Sequence, residues 1–325
     1  MQEEVFDFLG RHTSLIITTH ENPDADGLGA ELAFAQICRD LGKKVSILNS
    51  GPKAERFDFM DPQGEIRVWD RENGTENAEN SALVILDSPD EFYIGAIKDL
   101  IPLTREVFVI DHHEPAPITT LKGYRDNTAS STCELIMELA AGAKITLNEI
   151  SSNALYAGIS SDTGSFAYSK TTARTFSAVL KLVEGGVNPY AIYRELNESD
   201  PLSSLLLSKQ VFSTLEILKR GKVAIQILRK EDLAAAKAQI EDAEAFVNVP
   251  LKASTIAVSV LIKENPNGQI RCSLRSKGEI NVSKIAQAFG GGGHVSAAGF
   301  KSSFNIEETR KLLLGTITKA LEQIP

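Results

Sequence analysis

The stretch Val107-Phe108-Val109-Ile110-Asp111-His112-His113 decides the predicted fold. Its first four residues are all β-branched or aromatic, which predicts a strand that is buried on both faces. A carboxylate and two imidazoles follow at the C-terminal end of this strand, and open α/β sheets bind ligands at that edge. Asp and His are common metal ligands, but an isolated short motif also fits a plain capped loop with exposed histidines. The other predicted strands decide between these two interpretations.

An earlier segment repeats this arrangement of a strand followed by polar residues. A β-rich run at residues 15–19 is followed by His20, Asp24 and Asp26, and a helix is predicted to begin near Leu28. Capping of that helix would explain Asp26 alone, since Asp is a favoured N-cap residue. It would not explain a His and two acids within seven residues, so we favour a metal site.

Two further aspartates extend the pattern. The apolar strand predicted at residues 82–86 ends directly in Asp87, and Asp162 lies in a turn-forming Asp-Thr-Gly segment. Alone, Asp162 would be an ordinary turn residue. Three apolar strands that each deliver an acid at the C-terminal end are hard to attribute to capping. The same half of the chain also predicts strands at 44–48 and 66–69 and helices at 93–101, 130–141, 148–158 and 172–184.

Length and composition are those of a globular protein with two domains. The chain has 325 residues, of which 42% are hydrophobic and 24% charged, and its net charge is −9. This charge argues against binding along long duplex nucleic acid and predicts a surface without a basic track for long strands. The three cysteines form no metal-type pair and are predicted to be reduced core thiols. With no signal sequence and no apolar run that could span a membrane, the protein is expected in the cytoplasm.

The second half of the chain has a different pattern of predicted helices and strands. A largely helical segment at 188–220 predicts a connector between a metal-binding domain at 1–187 and a second domain at 221–325. The second domain is predicted to have strands at 223–228, 255–263 and 269–274, a hairpin turn at 265–268, and helices at 282–289 and 305–323. The predicted fold class is therefore α/β: an N-terminal parallel sheet with helices on both faces, a helical connector, and a smaller α/β domain with a mixed sheet.

A glycine run follows the helix predicted at 282–289. It reads Gly290-Gly291-Gly292-Gly293-His294, and Arg275 lies shortly before that helix. Glycines let backbone amides approach phosphate oxygens closely, and an Arg beside them would strengthen phosphate binding. A plain flexible loop is the alternative, because a lone glycine run is weak evidence.

These segments together resemble a known family. His20-x-x-Pro-Asp24-x-Asp26, Asp87, Asp111-His112-His113 and Asp162-Thr-Gly resemble, in order and spacing, the four motifs of the DHH phosphoesterase superfamily. Ser273-Leu-Arg275-Ser and the run from Gly290 to His294 resemble the glycine-rich signature of the DHH-associated domain. The resemblance covers nearly the whole chain. Within the superfamily it is most similar to the stand-alone nano-RNases, which also remove phosphate from 3′-phosphoadenosine 5′-phosphate.

The resemblance implies two divalent ions, usually manganese, with magnesium or cobalt as substitutes. Carboxylates and imidazoles without thiolate also suit Mn²⁺ or Mg²⁺ better than structural zinc. One ion is expected on His20, Asp24 and Asp87, and the other on Asp26, Asp87, His112 and Asp162. Asp111 is expected to orient its neighbours, and His113 to contact the scissile phosphate or the leaving oxygen. The expected substrate clamp in the second domain consists of Arg275, Gly291, Gly292, Gly293 and His294.

The implied reaction is hydrolysis of short RNA or DNA oligonucleotides and dinucleotides to mononucleotides, and of the nucleotide bisphosphate to AMP. Metals in one domain and a phosphate clamp in the other would limit the length of the substrate. Other activities stay open: cleavage of linear or cyclic dinucleotides such as cyclic di-AMP, pyrophosphate or polyphosphate hydrolysis, and catalytically inactive nucleotide sensing. A homodimer is implied by the resemblance only.

Overall fold

The computed structural model describes residues 2–70, 78–114, 120–277, 280–293 and 295–322. The chain divides into two compact units, Met1–Ser199 and Asp200–Pro325. This boundary lies inside the segment 188–220 that the sequence predicts as a connector. The first unit therefore ends with a helix of that segment, α6 (Pro189–Asn197), and the second begins with another, α7 (Leu202–Ser213).

The first unit is built on a parallel sheet of six strands. In sequence order they are β1 (Ser14–Thr18), β2 (Lys44–Asn49), β3 (Ile66–Val68), β4 (Ala82–Leu86), β5 (Val107–Asp111) and β6 (Gly123–Arg125). Their order in the sheet is β3-β2-β1-β4-β5-β6, and every pairing is parallel. All carboxyl ends of the strands therefore lie along one edge, which is where the predicted metal ligands follow β1, β4 and β5.

Successive residues of the central strands pack into layers on opposite faces of the sheet. Ala82, Val84 and Leu86 of β4 join the larger core on one face, whereas Leu83 and Ile85 join a smaller core on the other. The larger core is covered by α-helices: α1 (Gln2–Arg11), α2 (Ala25–Asp40), α3 (Thr132–Gly142), α4 (Glu149–Asp162) and α5 (Ala173–Glu184). The smaller core is covered by 3-10 helices at Ala78–Asn80 and Gly95–Leu103. The prediction of a parallel sheet with helices on both faces is confirmed.

The second unit has a mixed sheet. Its strands are β7 (Glu216–Leu218), β8 (Val223–Leu228), β9 (Val258–Glu264), β10 (Ile270–Ser276), β11 (Gly292–Gly293) and β12 (Ala297–Ser302), in the order β11-β12-β10-β9-β8-β7. Only the β8–β9 pairing is parallel. One face packs against α9 (Val282–Gln287) and α10 (Ile306–Glu322), and the other packs against α7, α8 (Lys230–Ala236) and a 3-10 helix at Glu241–Lys252. The predicted mixed sheet is confirmed.

Two predictions from the sequence concern the state of the cysteines and the presence of membrane-spanning segments. Cys38, Cys133 and Cys272 are buried free thiols, as predicted. None of the helices in the described ranges is both long enough and apolar enough to span a bilayer.

Candidate metal centre and substrate-binding segments

The first part of the candidate centre follows β1. Asp24 is the N-cap of α2, and its Oδ1 accepts hydrogen bonds from the backbone amides of Asp26 at 3.0 Å and Gly27 at 3.2 Å. The same Oδ1 lies 3.8 Å from Nε2 of His20. The capping residue is therefore Asp24, and not Asp26 as the capping interpretation assumed. A single carboxylate both caps the helix and contributes to the cluster.

Asp26 is buried in the first turn of α2 and is held by a second helix. Its Oδ2 accepts a hydrogen bond from the amide of Thr132 at 2.7 Å, and its Oδ1 accepts one from the amide of Cys133 at 2.9 Å. These amides lie at the N-terminus of α3, where the first N–H groups have no partner within the helix and the helix dipole favours an anion. The carboxylate is thus fixed by the start of α3.

Asp87 follows β4 in a backbone conformation that residues with a side chain rarely adopt. Its φ is 54°, in the left-handed region, which costs free energy although Asp tolerates it better than most residues. Its Oδ1 accepts a hydrogen bond from Oγ1 of Thr132 at 3.0 Å and lies 3.4 Å from Nε2 of His112. Its Oδ2 lies 3.7 Å from Nε2 of His20. Nδ1 of His113 lies 3.7 Å from Oδ1 as well, so this conformation places one buried carboxylate among three imidazoles.

The two consecutive histidines after β5 have different partners. Nδ1 of His113 lies 2.7 Å from Oδ1 of Asp111, which is fully buried. Nε2 of His112 lies 3.2 Å from Oδ2 of Asp162, the last residue of α4, and 3.8 Å from Oδ2 of Asp26. His112 therefore faces the carboxylate cluster, whereas His113 is held by Asp111.

The structure brings all six predicted metal ligands together. Three groups of side chains have ligand atoms within 4.8 Å of one another: His20, Asp24 and Asp87; Asp26, His112 and Asp162; and Asp87, His112 and His113. The first two groups correspond to the two predicted ion sites, and Asp87 also lies beside His112 of the second group. Oxygen and imidazole donors at these separations suit divalent ions such as Mn²⁺ and Mg²⁺.

At two positions, neighbouring charges shift the pKa in the direction opposite to the effect of burial. Burial alone would lower the pKa of His20, but the negative charges of Asp24 and Asp87 raise it to about 11. Burial alone would raise the pKa of Asp87, but His20, His112 and His113 hold it well below its usual range. The three imidazoles thus favour the ionised form of Asp87.

At three other candidate ligands, the pKa shifts in the direction that burial favours. Burial and the nearby charge of Asp87 raise the pKa values of Asp26 and Asp162 well above the usual range. Burial also lowers the pKa of His112, which favours the neutral imidazole that binds metals. Carboxylates crowded in this way repel one another, and a divalent cation would offset that repulsion. The arrangement therefore fits a centre for divalent cations.

Sequence reasoning missed the residues that support the loop bearing His20. Oδ1 of Asn49 accepts hydrogen bonds from Oγ1 of Thr18 at 3.2 Å and from the amide of Thr19 at 3.3 Å. Nδ2 of Asn49 donates to Oε2 of the buried Glu31 at 3.0 Å. Asn49 is a polar residue at the end of a predicted strand. Polar residues at strand ends also identified the aspartates, so the same signal could have identified Asn49.

In the second unit, Arg275 lies near the end of β10 and is partly buried. Its Nη1 donates to the carbonyl of Leu274 at 3.0 Å. The alternation along β10 places Arg271, Ser273 and Arg275 on one face and the buried Cys272 and Leu274 on the other.

The glycine run is not a plain flexible loop. Gly292 and Gly293 form β11, which pairs with Gly299 and Ala298 of β12. The amide of Gly291 donates to the carbonyl of Ala286 at 3.0 Å, so this amide is already engaged within the fold. The predicted phosphate contacts of Gly291, Gly292 and Gly293 stay a prediction. His294 lies outside the described residues.

A row of cations crosses the second sheet and was also missed. Lys263 of β9 and Lys301 of β12 each stand opposite Arg271 of β10. Like charges directly opposite each other destabilise a sheet, and burial together with Arg271 and Arg275 lowers the pKa of Lys263. These three cations form a local row across the sheet, in which Lys263 is buried. The alternation of β10 could have indicated it.

Comparison with known proteins gives the family. Residues 14–159 match the DHH family, N-terminal domain, and residues 221–323 match the DHHA1 domain. The chain is a DHH-family protein. The resemblance seen in the sequence is confirmed, and the candidate metal centre lies in the unit that contains the DHH domain, whereas Arg275 and the glycine run lie in the DHHA1 domain.

Two relatives match this DHH-family chain over nearly all of its length. A protein of Streptococcus mutans named probable bifunctional oligoribonuclease and PAP phosphatase NrnA is 27% identical over 304 residues, which are 93% of each chain. A Bacillus subtilis protein named bifunctional oligoribonuclease and PAP phosphatase NrnA is 25% identical over 99% of this chain and 100% of its own. A solved structure of an exopolyphosphatase-related protein from Bacteroides fragilis has a TM-score of 0.90 and 24% identity, and the match covers 99% of this chain and 95% of that one. This last likeness shows the fold alone.

Proposed function

We propose that this chain is a metal-dependent phosphoesterase that hydrolyses short oligonucleotides and dinucleotides to mononucleotides and converts 3′-phosphoadenosine 5′-phosphate to AMP. The observation that carries the proposal is the position of Asp87 between two groups of potential metal ligands. Its carboxylate lies 3.7 Å from His20 of one group and 3.4 Å from His112 of the other. The names of the Streptococcus mutans and Bacillus subtilis relatives support the choice of substrates.

In this proposal two divalent ions, manganese for preference, occupy the two groups. His20, Asp24 and Asp87 hold one ion, and Asp26, Asp87, His112 and Asp162 hold the other. When bound, such a pair activates a water molecule and stabilises charge on the phosphoryl oxygens. The chain prepares the site by fixing Asp26 on the amides of α3 and Asp87 through Thr132.

His113 is proposed to contact the scissile phosphate or the leaving oxygen. Nδ1 of its imidazole lies 2.7 Å from Oδ1 of the buried Asp111. Its side chain is partly exposed, unlike that of His112. Asp111 then acts as a positioning residue that fixes the orientation of the ring.

Substrate binding is proposed to use the DHHA1 domain. Arg275 can form a charge-assisted contact with a phosphate, and the amides of Gly292 and Gly293 can add backbone donors. His294 completes this set by the family resemblance. These groups hold a phosphate other than the one that is attacked, which makes short nucleotides with two phosphates the favoured substrates.

A turnover panel with Mn²⁺ tests the proposal. The panel contains a dinucleotide, a five-nucleotide RNA, 3′-phosphoadenosine 5′-phosphate, linear and cyclic di-AMP, and pyrophosphate. We expect the dinucleotide and the bisphosphate to have the highest kcat/KM, and EDTA to abolish turnover. Preferential hydrolysis of pyrophosphate, or turnover that survives EDTA, would overturn the proposal. The Asp58→Asn variant, which changes an exposed aspartate, serves as a control for preparation effects.

A further inference from the structure

A cavity of about 480 Å³ is lined by residues that belong to none of the predicted sites. Its walls come from three loops at the carboxyl edge of the parallel sheet: Glu21 after β1, Trp69 after β3, and Phe92, Gly95, Ala96, Lys98 and Asp99 after β4. Glu21 directly follows His20, so their α-carbons are about 3.8 Å apart. The volume is typical of sites for small molecules.

The walls of this cavity are tightly built. The amide of Glu21 donates to the carbonyl of Tyr93 at 2.7 Å, and Oγ of Ser50 accepts a hydrogen bond from the amide of Ile97 at 2.9 Å. Gly95 has a φ of 66°, and a Cβ at this position would lie 2.9 Å from Oγ of Ser50 and 3.0 Å from Cγ of Glu21. Only glycine allows the loop after β4 to pack this closely against the loop that bears His20.

Two aromatic side chains line the cavity. The ring of Trp69 is buried, whereas Phe92 is 77% exposed. The amide of Phe92 donates to Oδ1 of Asp90 at 2.8 Å, so the backbone that carries this exposed ring is fixed. Leaving so large an apolar surface in water is unfavourable, and a flat ligand that stacks on the ring would cover it. Nucleobases stack on aromatic side chains in this way.

The charged residues of the lining argue against a phosphate as the ligand. Glu21 and Asp99 are acidic and Lys98 is basic, so the lining carries more negative than positive charge. A carboxylate can only accept hydrogen bonds. Among the four RNA bases, guanine presents two adjacent donors, N1–H and N2–H₂, to a carboxylate. Lys98 can donate to its O6 or N7 acceptors.

We propose that this cavity binds a nucleobase of the substrate, with guanine favoured over the other bases. The base would belong to the nucleotide whose phosphate lies at the neighbouring metal centre. The identity of the ligand rests on the proposed nucleotide hydrolysis. The binding itself needs neither metal ions nor turnover, so the two proposals can fail separately.

The chain has one tryptophan, and Trp69 therefore reports directly on the cavity. We expect guanosine, added to the full chain in EDTA, to quench tryptophan fluorescence saturably after correction for absorption with free N-acetyltryptophanamide. Ribose 5-phosphate, which lacks a base, should have no effect. Phe92→Ala should raise the Kd of guanosine about tenfold, since stacking on one aromatic side chain typically has an effect of this order. Adenosine and cytidine should bind more weakly than guanosine.

Two further variants sharpen the test. Phe176→Ala removes a phenylalanine of the same unit that is 53% exposed and does not line the cavity, and its Kd should equal that of the unaltered chain. Glu21→Gln should weaken the binding of guanosine more than the binding of adenosine, which would confirm the role of the carboxylate. Absence of quenching by guanosine, an equal response to ribose 5-phosphate, or unchanged binding by Phe92→Ala would overturn the proposal. Equal losses for guanosine and adenosine in Glu21→Gln would overturn the preference for guanine.

Discussion

The carboxylate of Asp111 lies 2.7 Å from Nδ1 of His113 at the end of β5. Asp111 is fully buried, and His113 is more exposed than His112. This pairing holds Nδ1 of His113 against a buried carboxylate and so fixes the orientation of the imidazole ring. The adjacent His112 instead has its Nε2 3.2 Å from Oδ2 of Asp162 and 3.8 Å from Oδ2 of Asp26.

Asp111→Asn should lower kcat for a dinucleotide by about ten- to a hundredfold, a typical effect for residues that orient a functional imidazole. Asn keeps a hydrogen-bond acceptor but loses the charge that fixes the tautomer of His113. KM and manganese content, measured by steady-state kinetics and plasma emission, should stay close to those of the unaltered chain. Loss of bound manganese would instead place Asp111 among the metal ligands, and an unchanged kcat would contradict the positioning role.

Asp87→Asn should reduce turnover to below about one per cent and remove much of the bound manganese, because one carboxylate serves both groups of ligands. Asn is the suitable replacement since it tolerates the left-handed backbone that Asp87 adopts. Metal content and kcat should be measured on the same preparation, with Asp58→Asn as the matched control. Full metal content with normal activity would exclude Asp87 from the centre.

Glu31→Gln should make the stability of the first unit less dependent on pH. Burial raises the pKa of Glu31 well above its usual range, so the folded state holds a proton that the unfolded state loses above about pH 4–5. Because the unfolded state binds fewer protons there, stability falls as pH rises from that range toward the folded pKa. Gln cannot ionise. As pH rises, the free energy of unfolding should therefore fall less steeply in the variant than in the unaltered chain, by up to about 1.4 kcal/mol per pH unit.

Urea denaturation at pH 5, 6, 7 and 8, followed through Trp69 fluorescence, measures this difference within the first unit. Asp26 and Asp162 also titrate in the folded state, but they are present in both proteins, so the comparison isolates Glu31. Glu198→Gln, at an exposed glutamate of the same unit, should leave the pH dependence unchanged. Parallel pH profiles for Glu31→Gln and the unaltered chain would show that Glu31 is ionised when folded.

Periodicity and strand ends predicted the central strands of the sheet and several candidate metal ligands, and the family resemblance supplied the full candidate set. The apolar residues of β5 predicted a buried strand, and the parallel order then brought Asp87 and His112 to the same edge. The spacing of Asp24 and Asp26 could not show which of them caps α2. That choice depends on the amides of Thr132 and Cys133, more than a hundred residues away, which hold Asp26.

Short and irregular elements were beyond the reach of periodicity. β6 (Gly123–Arg125) has three residues, too few to show an alternation. Its Gly123 is needed because a Cβ there would lie 2.2 Å from the carbonyl oxygen of Val109. The helix predicted at 93–101 is a 3-10 helix at Gly95–Leu103 that contains Pro102, and proline removes an amide donor that an α-helix would use. The apolar pattern identified the covering layer but not its geometry.

Arg275→Ala should raise KM for a dinucleotide by roughly ten- to a hundredfold, because a charge-assisted hydrogen bond to phosphate contributes about 1.5–3 kcal/mol. The proposed contact is with a phosphate that does not react, so the loss should appear mainly in KM, and kcat should change by less than about threefold. Steady-state kinetics with a dinucleotide at saturating Mn²⁺ measures both constants.

The control for this variant is Arg229→Ala, which removes an exposed arginine of the same unit that lies 3.6 Å from Glu307. Its KM should equal that of the unaltered chain. A comparable rise in KM for both variants would show that general positive charge, and not the position of Arg275 on β10, attracts the substrate. A fall in kcat as large as the rise in KM would mean that the energy of the contact is used to align the reacting phosphate, and Arg275 would then act in positioning for catalysis as well as in binding.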